Sequence, residues 1–165
     1  MRRAWMILLA MVLGACADEL APAPPEVRKQ VERTMGAFAA MDVEGFKAGL
    51  AEDVVAYEID VEGKPVRLRS RDDAVRYAEQ MFVQVKKMGG SLKLNTHSSD
   101  CRATSTLAYC NVELDFQAKM PDGSTMSQPS FISVVLCKVD GDWKWMHWHS
   151  SLAALPPPPA PPPTP

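Results

Sequence analysis

The sequence has no surplus of either charge. It sets 18 Lys and Arg against 20 Asp and Glu over 165 residues, a formal net charge of -2, with no basic run or basic face. A nucleic-acid-binding domain needs such a footprint, so nucleic acid is not expected as a partner. Cysteine is scarce, at four residues, and no Cys-x-x-Cys pair occurs, which argues against thiol redox catalysis. Histidine is scarcer still, at three. The apolar run from Ala4 to Leu13 is too short to span a bilayer as a mature helix. No internal repeat is visible, and the chain between its two unusual ends is the size of one domain with one core.

Both ends read as something other than folded domain. Arg2 and Arg3 precede the apolar run, small residues follow, and then comes Cys16, the layout of a secretory signal. Leu13-Gly14-Ala15-Cys16 resembles the lipobox of bacterial lipoproteins, in which the peptide is cut before the cysteine and that cysteine is acylated. The alternative is ordinary signal cleavage at the small-x-small site Ala15-Cys16-Ala17. The lipobox resemblance implies a signal peptide over 1–15, lipid attachment at Cys16 and, with Ala17 following, sorting to the periplasmic side of the outer membrane. Residues 16–25, rich in Ala and Pro, read as an extended tether. Residues 156–165 contain eight prolines in ten and read as a solvated polyproline II tail, either a spacer or a ligand for an aromatic groove.

Between these ends, Val27, Val31, Met35 and Phe38 recur at helical spacing behind Pro24-Pro25-Glu26. Asp42 reads as the N-cap of a short second helix carrying Phe46 and Leu50. Alternation then begins: Val55, Tyr57, Ile59 and Val61 against Ala56, Glu58 and Asp60, with a short partner strand at Val66 and Leu68 after Gly63-Lys64-Pro65. Ser70 and Asp73 resemble a capping box for a helix running to Gly89-Gly90. The remainder reads as four long strands, near 92–104, 107–120, 129–139 and 143–151, joined by hairpin turns into an antiparallel meander.

The last of these strands gathers three of the four tryptophans and two of the three histidines between Trp143 and Ser151. Period 2 puts Trp143, Trp145, His147 and His149 on one face and Lys144, Met146, Trp148 and Ser150 on the other.

The order helix, helix, two short strands, helix, four long strands resembles the SnoaL-like branch of the nuclear-transport-factor-2-like superfamily. Gly141-Asp142-Trp143-Lys144 running into His147-Trp148-His149-Ser150-Ser151 is similar to that branch's closing strand. The resemblance covers about residues 26–152, within a domain read as 26–155. It implies an α+β, cone-shaped fold, N-terminal helices packed in a strongly curved antiparallel sheet, with a pocket between them and frequently a homodimer through the sheet. It implies no single chemistry, because such a scaffold hosts isomerases, cyclases, dehydratases, binding modules and assembly domains.

Hairpin geometry predicts a disulfide. A two-residue turn at Ser105-Thr106 pairs Thr104 with Leu107 and, stepping outward, Cys101 with Cys110 at a non-hydrogen-bonded position where side chains lie closest. Cys110 paired with Cys137 is the alternative if the next turn centres near Gly123 and Ser124.

Tyr57, Phe116, Trp145, His147 and His149 are the expected lining of a small-molecule pocket. A metal held by His147 and His149 would need a third ligand such as His97, Glu58 or Asp115; the spacing alone implies neither metal nor cofactor. The ketosteroid isomerases of the superfamily place a carboxylate base inside the cone, which makes Glu58, Asp60 and Asp115 acid–base candidates. Parity opposes that reading, since these carboxylates fall opposite Val55, Ile59, Leu114 and Phe116. The leading expectation is therefore a non-catalytic, lipid-anchored protein that binds a small apolar or amphipathic ligand. The alternatives are an enzyme using His147 or His149 as base, and a dimeric assembly module whose sheet face carries Met146 and Trp148.

Overall fold

The computed structural model describes residues 20–59, 64–119 and 122–152. The signal segment, Cys16, the first part of the tether, Asp60 and the proline tail lie outside the described residues. The chain runs β1 (Ala21–Pro22), α1 (Pro25–Ala39), α2 (Val43–Ala48), β2 (Leu50–Ile59), β3 (Pro65–Leu68), α3 (Arg71–Lys87), β4 (Ser91–Ala103), β5 (Leu107–Lys119), β6 (Thr125–Val139) and β7 (Asp142–Leu152).

Local chemistry sets the helix ends. Pro25 occupies the first turn of α1, where its missing N–H costs nothing, and Val27, Val31 and Met35 form the buried stripe. Asp42 Oδ1 accepts from the Gly45 N–H at 3.0 Å, and Ser70 Oγ accepts from the Asp73 N–H at 3.1 Å, capping α2 and α3 as the sequence predicts. At the far end of α3, Gly89 donates to Lys86 and Gly90 to Val85, a Schellman motif with Gly89 at a φ of 64°. Gly90 is required for a second reason: a Cβ there would sit 2.6 Å from the Lys119 carbonyl oxygen.

The seven strands form one sheet in the order β1-β4-β5-β6-β7-β2-β3. All pairings but one are antiparallel; β2 lies parallel to β7, so the sheet is mixed, not purely antiparallel. The turn between β6 and β7 is Asp140-Gly141, both at positive φ, as a two-residue hairpin loop demands. β6 begins at Thr125, earlier than the sequence pattern suggests, because it stays in register with β5 out to the Lys119↔Thr125 pair.

Part of the expected tether is not free. Ala21 and Pro22 pair with Ala103 and Arg102, and the Ala23 N–H donates to the Cys101 carbonyl at 3.0 Å. That carbonyl points away from β5, so Cys101 and Cys110 form a non-hydrogen-bonded pair. Their Cα atoms lie 4.1 Å apart, and the two cysteines are joined by a disulfide. Cys137 is a free thiol opposite Leu107, which removes the Cys110–Cys137 alternative.

Three irregularities bend the sheet: in β2 between Leu50 and Val55, in β4 at His97, and in β7 at Met146. The concave side wraps α1, α2 and α3 around a core that includes Val27, Phe46, Val54, Ala56, Phe82, Leu114 and Leu136.

Candidate functional site

Where the sheet curls over the helices it leaves a cavity of about 490 Å³, within the range of small-molecule sites. α1 and α2 supply Met35, Phe38 and Phe46; α3 supplies Tyr77, Met81 and Val85; the sheet supplies Leu92, Leu114, Phe116, Ile132, Trp145 and Trp148. Ile59, Met88 and Met126 line it too, and each is more than a third exposed, so the cavity opens on their side. Nearly the whole wall is apolar.

The closing strand enters this wall with its parity changed partway along. Leu136 pairs with Trp145 but Val135 pairs with His147, leaving Met146 as an extra residue. Such a bulge reverses the facing of every side chain beyond it. Trp145 and Trp148 therefore both face the helices, 3% and 4% exposed, with ring centroids 5.8 Å apart. Phe46 meets Trp148 edge-on at 6.1 Å. The start of β7 is pinned by the Trp145 N–H donating to the Gly49 carbonyl and by Lys144 Nζ donating to the Ala48 carbonyl at 2.7 Å, a cation at a helix C-terminus.

The expected lining residues consequently divide. Phe116 and Trp145 line the cavity. Tyr57, His147 and His149 do not; they stand on the outer face of the sheet, a correction to the parity reading. Tyr57 is 42% exposed, meets the His147 ring edge-on at 6.0 Å and lies beneath the Arg67 guanidinium. His149 is opposite Tyr57 across the parallel pairing and shares a second, more open groove with Glu58, Pro65, Val66, Arg67 and Ser151. Neither histidine lines the cavity. Trp148, expected on a surface that a second copy could cover, is inside instead.

Glu58 is the converse case. Parity assigns it to the outside with Asp60 and Asp115, yet it lines the cavity. In the second half of β2 the buried side chains are Val54 and Ala56, and Glu58 continues their face while Tyr57 takes the other. Small Ala56, opposite Trp148, leaves room for the indole. Trp148 Nε1 and Ser150 Oγ both donate to Glu58 Oε1, the latter at 2.7 Å. Burial pushes the Glu58 carboxyl above the ordinary glutamate value, against the opposing pull of those hydrogen bonds and of nearby His149. Asp115 does point away from the cavity and is held by His97, with Nε2 to Oδ2 at 3.1 Å.

The remaining polar groups on the wall are largely engaged. Tyr77 donates to the Ile59 carbonyl at 2.9 Å, Ser130 to the Gln128 carbonyl at 3.2 Å, and Thr34 Oγ1 accepts from Gln30. Trp143 Nε1 and Trp145 Nε1 are buried without a hydrogen-bond partner. Among the described residues no three of His, Cys, Asp and Glu converge as a metal site; His147 and His149 share neither Glu58's cavity nor the His97–Asp115 pair.

The spacing of two large indoles at i, i+3 was the available signal for this arrangement. A regular strand would expose one of them, and burying both requires a bulge between.

A family model described as the SnoaL-like domain matches residues 27–155. No curated protein matches the chain. Among solved structures, a proposed dehydratase of the NTF2-like family from Streptomyces avermitilis is similar over 79% of this chain and 96% of its own, at 13% identity and a TM-score of 0.70. A proposed ketosteroid isomerase from Shewanella frigidimarina covers 74% and 92% at 22% identity and a TM-score of 0.60. The association domain of C. elegans CaMKII covers 77% and 93% at 14% identity and a TM-score of 0.61. At these identities the likeness establishes the fold, a nuclear-transport-factor-2-like α+β cone.

Proposed function

We infer that this chain, which belongs to the SnoaL-like domain family, uses its cone to bind one small, mainly apolar molecule. The observation that carries this reading is the apolar cavity of about 490 Å³ with, among the described residues, a single carboxyl group, Glu58, set into its wall. Apolar walls with a few placed polar groups are the usual make-up of a ligand site, the walls giving affinity and the polar groups orientation. Native mass spectrometry of the chain purified without detergent exchange tests it: a retained mass below drug size supports binding, and a chain that neither retains nor takes up any apolar probe refutes it.

A second reading rests on the environment of Glu58. A carboxyl group raised by burial and held in place by Trp148 and Ser150 has the properties of a general base or acid. Under that reading the protein isomerises or dehydrates its ligand, as two of the structurally similar proteins are proposed to do. Solvent deuterium exchange at the α-carbon of a bound cyclic ketone, followed by NMR, tests it; exchange at the same rate in Glu58→Ala would exclude Glu58 as the base.

The placement in the cell is proposed from the resemblance to a lipobox. The chain is anchored through acylated Cys16 on the periplasmic side of the outer membrane, more than one acyl chain giving stable attachment. Cys16→Ala should leave an uncut or soluble precursor; a variant that is cut normally and still fractionates with the membranes refutes the anchor. A homodimer through the outer face of the sheet, where Tyr57 and Phe131 are exposed, is proposed for the assembly, and the mass of the chain in solution tests it.

A further inference from the structure

The binding reading leaves the chemical class of the ligand open, and the cavity wall restricts it. Among the described residues that line the cavity, Glu58 is the only Asp, Glu, Lys, Arg or His. Its Oε1 already accepts two hydrogen bonds, from Trp148 and Ser150, both groups that hold the carboxyl as an acceptor. Nearby protons are spoken for: the Tyr77 hydroxyl donates to Ile59 and the Ser130 hydroxyl to Gln128. Trp145 Nε1 is enclosed by protein, with under 1 Å² of its own surface, so a ligand cannot reach it without repacking. Gln128 is the one amide on the wall, and a neutral amide does not replace the counter-charge that a buried anion needs.

Among the described residues the cavity wall thus presents an acceptor with negative charge and no cation, Arg67 and His149 lying in the outer groove that Glu58 also borders. We propose that the occupant is an apolar molecule bearing a hydrogen-bond donor, a hydroxyl or a protonated amine, at the end that meets Glu58, and that carboxylate-headed lipids are refused. The inference rests on the cone being a small-molecule site. A donor on the ligand gains a charge-assisted hydrogen bond with the carboxylate. A second carboxylate beside Glu58 would bury like charges together without a partner, which is costly in a low-dielectric wall.

Three probes that differ only in their head group decide it: octylamine, octan-1-ol and octanoate, titrated calorimetrically into the full chain at pH 8, with the neutral dye Nile red as a reference for uptake. Octylamine should bind at least about ten-fold more tightly than octanoate, with octanol between them. In Glu58→Gln the amine and the alcohol should converge to within about three-fold while octanoate gains. Octanoate binding as tightly as octylamine, or an order unchanged in Glu58→Gln, overturns the inference and leaves small-molecule binding standing if Nile red is taken up. If the wild-type chain takes up neither Nile red nor any of the three probes, the binding reading and the inference fall together.

Discussion

Trp145 and Trp148 are three residues apart on one strand, yet their side chains face the same side of the sheet with ring centroids 5.8 Å apart. Met146 makes this possible by occupying a bulge opposite the Val135–Leu136 step. The consequence reaches across to β2, because the second indole is what meets Glu58, 90 residues away in the chain. One inserted residue therefore decides which ring closes the cavity and which side chains are left outside.

These two indoles differ in a way that substitution can expose. Trp148 Nε1 has a carboxylate partner, whereas Trp145 Nε1 is buried with none. Trp148→Phe should therefore cost more stability than Trp145→Phe, by about 1–3 kcal/mol, since it leaves Glu58 short of a donor while the other removes an unsatisfied group. Urea unfolding of the two variants checks this, and equal costs would mean that the Trp148–Glu58 bond contributes nothing.

Glu58 also sets a pH dependence. Its pKa is raised in the fold, so the folded state holds the proton more tightly than the unfolded chain does. That contribution favours folding at low pH and is lost as pH rises from the ordinary glutamate value through the raised one. The hydrogen bonds from Ser150 and Trp148, and then nearby His149 in the groove that Glu58 also borders, limit the rise. Melting temperature followed between pH 4.5 and 8 should fall less in Glu58→Gln than in the wild type over that window; parallel curves would refute the assignment.

His147 and His149 stand outside the cavity, which gives a direct check on the bulge. Replacing both by alanine should change Nile red binding by less than about two-fold, while Phe116→Ala, in the wall, should weaken it several-fold for the loss of a large apolar contact. Fluorescence titration separates the two outcomes.

The disulfide closes a short loop at the end of β4 that also holds β1. Cys101→Ser with Cys110→Ser should lower stability by about 2–3 kcal/mol. Amide exchange at Ala23, whose N–H bonds to the Cys101 carbonyl, should accelerate with it. Unchanged exchange at Ala23 would show that the N-terminal segment docks independently of the bridge.

Gly90→Ala offers a control remote from the site. The added methyl would meet the Lys119 carbonyl at 2.6 Å, a contact that must be relieved by backbone movement. A loss of about 1–3 kcal/mol is expected, measured by thermal unfolding with ligand uptake retained at a temperature where the variant is folded.

The sequence alone determined what depends on near neighbours. Helix caps at Asp42 and Ser70, the stop at Gly89-Gly90 and the Cys101–Cys110 pairing all follow from residues within one turn or one hairpin of each other. The order of those elements, together with the closing motif, was enough to place the chain in its family. Which way each strand faces was decided only by tertiary structure. Both faces of β2 and β7 carry apolar side chains, so period 2 identifies two sets of residues and cannot say which set meets the helices. The volume of two indoles, the small Ala56 opposite one of them and the bulge at Met146 settle that question together. The closing strand keeps its place as the mark of the fold, but its tryptophans, with Glu58 from a distant strand, make the site that its histidines were expected to make.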